Sequence, residues 1–473
     1  MLRILIRKEL LDNVLNLRFT ALCAVAIVLL VSSIVVLTEQ YRGEMDEYYN
    51  RVSTQDTFID RYGHSNRIGW MSVLAREPSR FHPLVLGIDR DAAQENFVNN
   101  PVPALLSKLD FVAIVAIIMS LVAIILSHNA VSGEREDGML KLMLSTSISR
   151  STIILGKFIA GIITLSVPFT LGILLGIAYV VLSIGFSFDG ISIGVIVSLL
   201  VLSFLYMTAF YALGLLFSAR SRTSDVAILK SLFAWVVLVL VLPNISPFLA
   251  AQIYTIPSRA KIERELNKIE SDDRDQIIRE RMQRKLQGEF SDLASIQSMS
   301  RGDLQKKIET DVTFRERFAA FRKVQDELTR QVNVEQKRIG NAIREDFGNQ
   351  SRKQELLATT LASLSPLSNF VFAATDAADV GLESDEEWES QAGRYDRSFR
   401  EYVDKRYGEE KDRNPAFTPN DYLDLRGRPR FQFQPPPMSV RYVRILIPTA
   451  ILAVFTVLFF AAAFVSFLRY DVR

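Results

Sequence analysis

Six long apolar runs separated by polar segments dominate the pattern of this 473-residue chain. They cover residues 19–38, 111–130, 153–184, 191–217, 226–245 and 443–468. Each run, as an α-helix rising about 1.5 Å per residue, is long enough to cross roughly 30 Å of hydrocarbon. Pro168 and Gly172 interrupt the third run, and neighbouring helices can satisfy the carbonyls that a kink releases. The pattern predicts an all-α polytopic membrane protein with six transmembrane helices.

Short basic flanks orient these spans. They carry Arg3, Arg7, Lys8, Arg18, Arg150, Lys157, Arg220, Arg222, Arg469 and Arg473. Because such flanks stay in the cytosol, we expect both termini there. The cytosolic segments are then residues 1–18, 131–152, 218–225 and 469–473. Residues 39–110 and 246–442 would face outward. The first run is too long for a cleavable signal peptide and lacks a convincing small-residue cleavage site, so an uncleaved anchor is expected.

The loop between the second and third runs carries an ordered motif. It begins with Ser-Gly-Glu-Arg at Ser132 and continues through Gly138 and a leucine-rich turn to Ser-Ile-Ser-Arg, which ends at Arg150. Gly156 and Lys157 follow shortly after. A solvated positive-inside loop would need charge, but it would not need this order of small, acidic and leucine positions.

This motif resembles the cytosolic loop of type-2 ATP-binding-cassette exporter permeases. Met139 stands where that family commonly has Thr, and Ser147 where it commonly has the Pro of a tight turn. The resemblance implies an integral protein of a bacterial inner membrane that pairs with a second permease chain, identical or related. It also implies a separate ATPase subunit that binds the ATP and Mg, with no cofactor in this chain.

The leucine-rich turn is the candidate docking element. Its apolar side chains would have to rest on lipid or on another protein, and a ridge that docks on the ATPase fits better. Gly138 supplies a flexible elbow, and Glu134 belongs to the acidic N-terminal end that a helix dipole favours. The predicted docking residues are Glu134, Gly138, Leu140, Leu142, Met143, Leu144 and Arg150.

The large segment 246–442 reads as a long helical insert. Pro257-Ser258 gives a start signal, and apolar residues recur at helical spacing up to Leu286 and again from Leu304 to Phe347. Narrow stripes of this kind suit an antiparallel hairpin, and the alternative is a surface for an extracytoplasmic partner. The insert resembles that of a permease subgroup with a large outward insert between the fifth and sixth spans.

Two further segments of this insert differ from the helical stripes in composition. Residues 364–376 are mostly apolar, so we expect a helix at the membrane interface or against segment 39–110. Residues 383–439 are charged, aromatic and Pro-rich near their end, which predicts extended chain with little core of its own. Asn100-Pro101-Val102-Pro103 in segment 39–110 is also expected to be extended.

Active-site chemistry is not indicated. No Gly-rich phosphate loop ends in Gly-Lys-Ser/Thr, so this chain is not expected to hydrolyse ATP alone, and no catalytic residue is predicted. His64, His82 and His128 lack recognised metal-ligand spacing, and Cys23 has no partner for a disulfide. A net charge of +2 selects no anionic ligand, and no nucleic-acid partner is predicted.

Polar residues inside the spans leave two readings open. Ser120, Ser127, Ser231 and Trp235 would either line a central pathway or hydrogen-bond between helices. Lys230 lies near a cytosolic end of its span, where its ammonium can reach the headgroups.

Two candidate functions follow from the sequence. One is export driven by a separate ATPase, and the other is that of a non-transporting scaffold that relays force to an envelope partner. An intramembrane enzyme lacks a convincing constellation, and the substrate cannot be read from the sequence.

Overall fold

The computed structural model describes residues 2–64, 74–87, 109–145, 148–185, 188–414 and 417–469. Within them the regular structure is helical throughout. Ser147, which stands where the resembling family commonly has the Pro of a tight turn, and the stretch 100–103, which is expected to be extended, lie outside the described residues. The chain forms two compact units, one of residues 1–244 with 361–473 and one of residues 245–360.

Fourteen helices are numbered here in chain order within the described residues. They are α1 (Leu2–Leu15), α2 (Leu17–Tyr62), α3 (residues 111–127), α4 (Ser132–Glu136), α5 (Met139–Ser145), α6 (Arg150–Ile184), α7 (Gly190–Arg220), α8 (residues 224–253), α9 (residues 259–287), α10 (Arg301–Thr310), α11 (Val312–Ala362), α12 (Pro366–Ala377), α13 (Leu382–Arg413) and α14 (Met438–Leu468). Three of them contain a π-helical stretch: Ile114–Met119 in α3, Val236–Val241 in α8 and Lys268–Asp273 in α9.

Among the described residues, six helical segments are long and apolar enough to cross a membrane, which confirms the predicted fold class. They are Phe19–Tyr62, Phe111–Glu136, Arg150–Ile184, Gly190–Arg220, Ser224–Ile253 and Met438–Leu468. Helix α2, which contains the first apolar run, does not end near residue 38 but continues to Tyr62. The polar part of α2 therefore extends the first span as a continuous rod.

The core of the first unit is built around α7, which packs against α14, α3 and α8. A second contact joins α6 to α2 and α1. Small residues let these helices approach closely. A Cβ added at Gly176 of α6 would lie 2.2 Å from the Ile34 side chain of α2, so only glycine fits there without displacement.

Helix α12 corrects one expectation. It does not lie exposed at the surface but is buried among the spans, where it contacts α14 and α7. Packing against segment 39–110 stays a prediction. Phe370 is fully buried, and its ring stacks on Tyr206 of α7 with centroids 4.6 Å apart. Most of its residues are buried, including the polar Asn369 and Thr375, whereas an interfacial helix keeps its polar face in water.

The prediction for residues 383–439 was wrong in its first half. Residues 382–413 form the 32-residue helix α13. Phe399 and Val403 of α13 are buried with Ile59 of α2, Leu423 and Leu425 in a small core. Their spacing of four residues is helical, but the partner lies in the distant extension of α2, which the local pattern could not reveal.

The second unit contains an antiparallel pair of helices, α9 and α11. Arg281 pairs with Glu335 at 3.4 Å, and Arg344 pairs with Glu270, so the two chains run in opposite directions. The expected single helix from Leu304 to Phe347 is broken at Asp311, which has an extended backbone. Its carboxylate accepts the Phe314 N–H at 3.0 Å and starts α11, which continues to Ala362.

Candidate functional site

The loop between the second and third spans folds as two short helices, α4 and α5, joined at Gly138. This glycine has φ +75°, and a Cβ added to it would meet nothing within 4 Å. Glycine is therefore favoured here by its backbone conformation and not by lack of space. The elbow predicted between the acidic entry and the leucine-rich turn lies at this residue.

Hydrogen bonds fasten α4 to the C-terminal end of the fourth span. Ser218 Oγ of α7 accepts the backbone N–H groups of Val131 and Ser132 at 2.9 and 3.1 Å. Arg135 donates to the carbonyl oxygens of Ser221 at 2.6 Å and Ala219 at 3.2 Å. These carbonyls lie at the C-terminal end of α7, where an arginine satisfies otherwise unpaired acceptors. The loop is therefore directly hydrogen-bonded to that end of α7.

A buried ion-pair network fastens α4 to α1 and α6. Lys157 Nζ of α6 lies 2.8 Å from Glu134 Oε1 of α4 and 2.9 Å from Glu9 Oε1 of α1. The Lys157 side chain is only 2% exposed. Lys8 approaches Glu134 at 3.5 Å from the solvent side. A buried ammonium is tolerated only with such partners, so the three helices are held together at one point.

Gly156 explains the other half of the Gly-Lys motif. A Cβ at this position would lie 2.6 Å from Leu5 Cδ2 of α1. Leu5 is itself buried. The glycine lets α1 lie directly on α6, and this close approach brings Glu9 within reach of Lys157. The sequence motif indicated the two residues, but it did not reveal Glu9 as their partner.

The predicted docking residues separate into exposed and buried positions. On α5, Leu142 is 63% exposed and Met139 is 43% exposed, whereas Leu140 is 1% exposed and lies in the core. Met143 and Leu144 are partly buried against that core. The exposed apolar face of α5 is therefore narrower than predicted.

The remaining members of the predicted docking set lie apart from that face. Glu134 belongs to the network with Lys157. Arg150 donates to the Leu468 carbonyl at 2.9 Å, at the end of α14. Gly138 is exposed at the elbow. Docking on an ATPase stays a prediction for every one of these residues.

The polar span residues make contacts between and within helices. Trp235 of α8 donates through Nε1 to Ser120 Oγ of α3 at 2.8 Å, and both side chains are buried. Ser127 and Ser231 each donate to a carbonyl one turn earlier in their own helix. Sequence reasoning missed Tyr206, which donates to the Ala116 carbonyl at 2.8 Å beside this pair. Pathway lining by the four predicted residues stays a prediction.

The other candidates for chemistry are scattered. His64 lies 3.0 Å from the Asp421 carbonyl, His82 3.5 Å from Glu44, and His128 2.8 Å from the Ile125 carbonyl. Among the described residues, no three side chains of metal-binding type come together. Cys23 is buried in α2, and Lys230 is exposed on α8.

Comparison with known proteins agrees with this architecture. The family model of the ABC-2 family transporter proteins matches residues 3–472. A probable ABC transporter permease protein, NosY of Stutzerimonas stutzeri, is 28% identical over 144 residues, which cover 30% of this chain and 50% of NosY. The chain thus spans about half the length of this curated relative. Since the family match covers nearly the whole chain, the protein belongs to the ABC-2 transporter family.

Proposed function

We propose that this permease converts ATP hydrolysis by a separate ATPase subunit into movement of its membrane helices. The observation that carries the proposal is the buried contact of Lys157 with Glu134 and Glu9, because it joins the loop to two further helices at one point. The exposed face of α5, with Leu142 at its centre, is the proposed docking ridge. The ATP and Mg belong to the partner subunit.

The route of the movement follows from the contacts of the loop. A displacement of α5 by the ATPase would be passed through Gly138 to α4. From α4 it would reach α7 through Arg135, and α6 and α1 through Glu134. Packed elements with charged and hydrogen-bonded links transmit such shifts better than flexible loops do.

The proposed assembly contains two permease chains and two ATPase chains in a bacterial inner membrane. Both termini and the loop at α4 and α5 would face the cytosol, as the short basic flanks favour. The hairpin of α9 and α11 would then face outward, where it would meet an extracytoplasmic partner. Whether the second permease is an identical copy is decided by the subunit composition of the purified complex.

Force transmission without a transported substrate is the second candidate function. It is favoured by the closed packing in the first unit, where Trp235 contacts Ser120 directly and α12 fills the space among the spans. Export would instead need these contacts to separate during turnover. A short bifunctional thiol reagent that links cysteines placed at Ser120 and Trp235 distinguishes the two functions, because the cross-link should stop export but leave a relay through the outer helices active.

Coupling is tested by co-purification of the permease with its ATPase and by the ATPase rate of the complex. Leu142→Asp should release the ATPase, because docking would bury an unpaired carboxylate. Leu142→Met keeps an apolar side chain of similar size and should retain the complex. Normal assembly and normal ATP turnover in the Leu142→Asp variant would rule out this docking ridge.

A further inference from the structure

Two π-helical stretches of the first unit are joined by a hydrogen bond. The stretch of α3, Ile114–Met119, ends directly before Ser120, and the stretch of α8, Val236–Val241, begins directly after Trp235. Because Trp235 Nε1 donates to Ser120 Oγ at 2.8 Å, this bond connects the adjoining ends of the two stretches. Helix α12 contacts both of them. Short π-helical turns inside α-helices are rare and often lie at functional sites.

In α8, the backbone hydrogen bonds show which carbonyl the π turn releases. An α-helix would pair the Leu242 N–H with the Leu238 carbonyl four residues earlier. Here the Leu242 N–H bonds the Val237 carbonyl, five residues earlier. The Leu238 carbonyl accepts the hydroxyl of Ser365, which is buried at the start of α12. A side chain and a backbone N–H therefore compete for one carbonyl oxygen.

The π turn of α3 has the same arrangement. In an α-helix the Ser120 N–H would bond the Ala116 carbonyl, but here it bonds the Ile117 carbonyl. The Ala116 carbonyl accepts Tyr206 Oη of α7 at 2.8 Å and Ser120 Oγ at 2.6 Å. Backbone groups within a membrane span need hydrogen-bond partners inside the protein. Each π turn is thus stabilised by a hydroxyl from another element of the fold.

The two ends of this arrangement are bound to the loop and to α12. Ser224 Oγ, at the first residue of α8, donates to Glu136 Oε2 of α4 at 2.8 Å and lies 3.3 Å from Ser132 Oγ. A displacement of α4 would therefore act on the part of α8 that leads to its π turn. At the other end, Ser365 Oγ also accepts the Leu367 N–H at 3.1 Å. One hydroxyl thus caps α12 and bonds α8.

Conversion of the π turn of α8 to α-helix would change these contacts. A π turn holds about one residue more than an α turn, so conversion rotates the parts of α8 before and after it relative to each other by roughly 100°. In the α-helical register, the Leu238 carbonyl accepts the Leu242 N–H and Ser365 loses its acceptor. Since the carbonyl is satisfied in both registers, the turn has the two discrete arrangements that a conformational switch needs.

We propose that the π turn of α8 is a two-state switch whose register is set by the Ser365 hydroxyl, and that its return to α-helix releases α12 from the fifth span. Tyr206 holds the neighbouring π turn of α3 in the same way. The inference rests on the proposed function for the origin of the movement, because α4 would act on Ser224. The competition for the Leu238 carbonyl itself needs no ATPase.

The test measures the register of α8 with two spin labels in the full chain, assembled with its ATPase in nanodiscs. Cys23→Ala removes the single native cysteine, and the labels are attached at Phe233→Cys and Ile245→Cys, two exposed positions of α8. Twelve α-helical residues would place the labels about 120° apart around the helix axis, whereas the additional residue of the π turn leaves roughly 20°. The distance between the labels therefore increases by several ångströms when the turn becomes α-helical.

Without nucleotide, the chain with native Ser365 should give the shorter distance. Ser365→Ala should raise the ratio of the longer to the shorter distance about tenfold, because the Leu238 carbonyl loses its side-chain donor. Ser365→Thr keeps a hydroxyl and should retain the shorter distance. Ser203→Ala is the matched control, since this buried hydroxyl donates to the Leu199 carbonyl within its own helix. Equal distance distributions in the Ser365→Ala and control variants would overturn the proposal.

A complex trapped with ATP and vanadate gives a second measurement that needs no substitution at Ser365. It should show the longer distance, and it decides the test if gel filtration shows that Ser365→Ala does not assemble. The ATPase rate of the same sample separates this inference from the proposed function. Normal permease-dependent ATP turnover with an unchanged label distance would overturn the switch alone. A permease that leaves the ATPase rate unchanged but responds to Ser365→Ala would contradict the coupling alone.

Discussion

Glu134 and Lys157 lie 2.8 Å apart across the junction of the loop helix α4 and the third span. They are the acidic residue of the Ser-Gly-Glu-Arg motif and the lysine of the Gly-Lys motif, which are separated by more than twenty positions in the sequence. This ion pair gives a structural reason why the two motifs occur in the same chain, because Glu134 neutralises the buried ammonium of Lys157. Glu9 completes the arrangement from the N-terminal helix.

Replacement of Lys157 by Met should uncouple the loop from α1 and α6. The change leaves two carboxylates near one another without their cation, and loss of one partner of a buried ion pair costs about 3–5 kcal/mol. We expect a lower melting temperature by intrinsic fluorescence and a loss of permease-dependent ATPase stimulation. Adding Glu134→Gln and Glu9→Gln removes the unpaired charges, so it should recover most of the stability but not the stimulation. Unchanged melting and stimulation in Lys157→Met would contradict the role of the network.

The contact between Gly156 and Leu5 can be tested by a double-mutant cycle. Gly156→Ala places a Cβ 2.6 Å from Leu5, so α1 must shift, with an expected cost of about 1–3 kcal/mol. Leu5→Ala makes room, and the double variant should be more stable than the sum of the two single effects predicts. Gly43→Ala in α2 is the matched control, because nothing lies within 4 Å of its added Cβ. Additive effects of the two changes would show that the helices do not touch there.

Leu140 and Leu142 should respond differently to the same charge. Leu140→Asp buries a carboxylate in the core and should prevent stable folding of the permease, whereas Leu142→Asp should leave the melting temperature of the isolated permease unchanged. Only the second variant is then informative about docking. If Leu142→Asp unfolds the permease as Leu140→Asp does, the assignment of the exposed face of α5 is wrong.

Asp110 should make stability depend on pH. It caps the second span by accepting the Ala113 N–H at 2.7 Å, and burial raises the pKa of its carboxyl to about 6. The native state then holds the proton more tightly than the unfolded chain. The resulting stabilisation is complete below the unfolded pKa and is lost as the pH rises from about 4 to about 6, by on the order of 2–3 kcal/mol.

The check on Asp110 compares melting temperatures between pH 4 and pH 8. The Asp110 carboxylate also accepts the Leu86 N–H at 3.1 Å. Asp110→Asn keeps one side-chain oxygen, which can accept the N–H of Ala113 or of Leu86, but it does not titrate in this range. The variant loses one hydrogen bond at every pH, so its melting temperatures are all lowered by a similar amount. The slope of melting temperature against pH reports the ionisation of the Asp110 carboxyl. Equal slopes for the two proteins would show that Asp110 is already ionised at pH 4.

How much of the structure could be predicted from the sequence depends on how far apart in the chain the interacting residues lie. The six spans could be predicted because a run of about 20 apolar residues needs no partner to be recognised. The burial of Leu140 could not be predicted, because α5 is too short for helical periodicity to distinguish its buried face from its exposed face. Likewise, Glu9 and Lys157 are 148 positions apart, and nothing local in the sequence joins them. Phe399 and Val403 have helical spacing in the sequence, but nothing near them indicates that they pack against Ile59 of α2.

Excision of the hairpin of α9 and α11 tests whether the hairpin is required for the function of the protein or is dispensable. Residues 258–347 can be replaced by a short Gly/Ser linker, because Gln354 and Tyr254 hold the two ends of the hairpin together. The compact unit of residues 1–244 and 361–473 is untouched, so insertion into the membrane and assembly with the ATPase should persist. The cellular output of the pathway should be lost, since the proposed partner surface is removed.

The excision is interpreted by two measurements on the same variant. The ATPase rate of the purified complex reports coupling at the loop, and a cellular assay of the pathway reports engagement outside the membrane. A matched control keeps the hairpin but carries Arg281→Glu with Glu335→Arg, which reverses one surface ion pair and should change stability by less than about 1 kcal/mol. Full cellular function after excision would make the hairpin dispensable. Failure of the excised chain to assemble would instead make it a structural element of the complex, because the ends that the linker joins are already close in the intact protein.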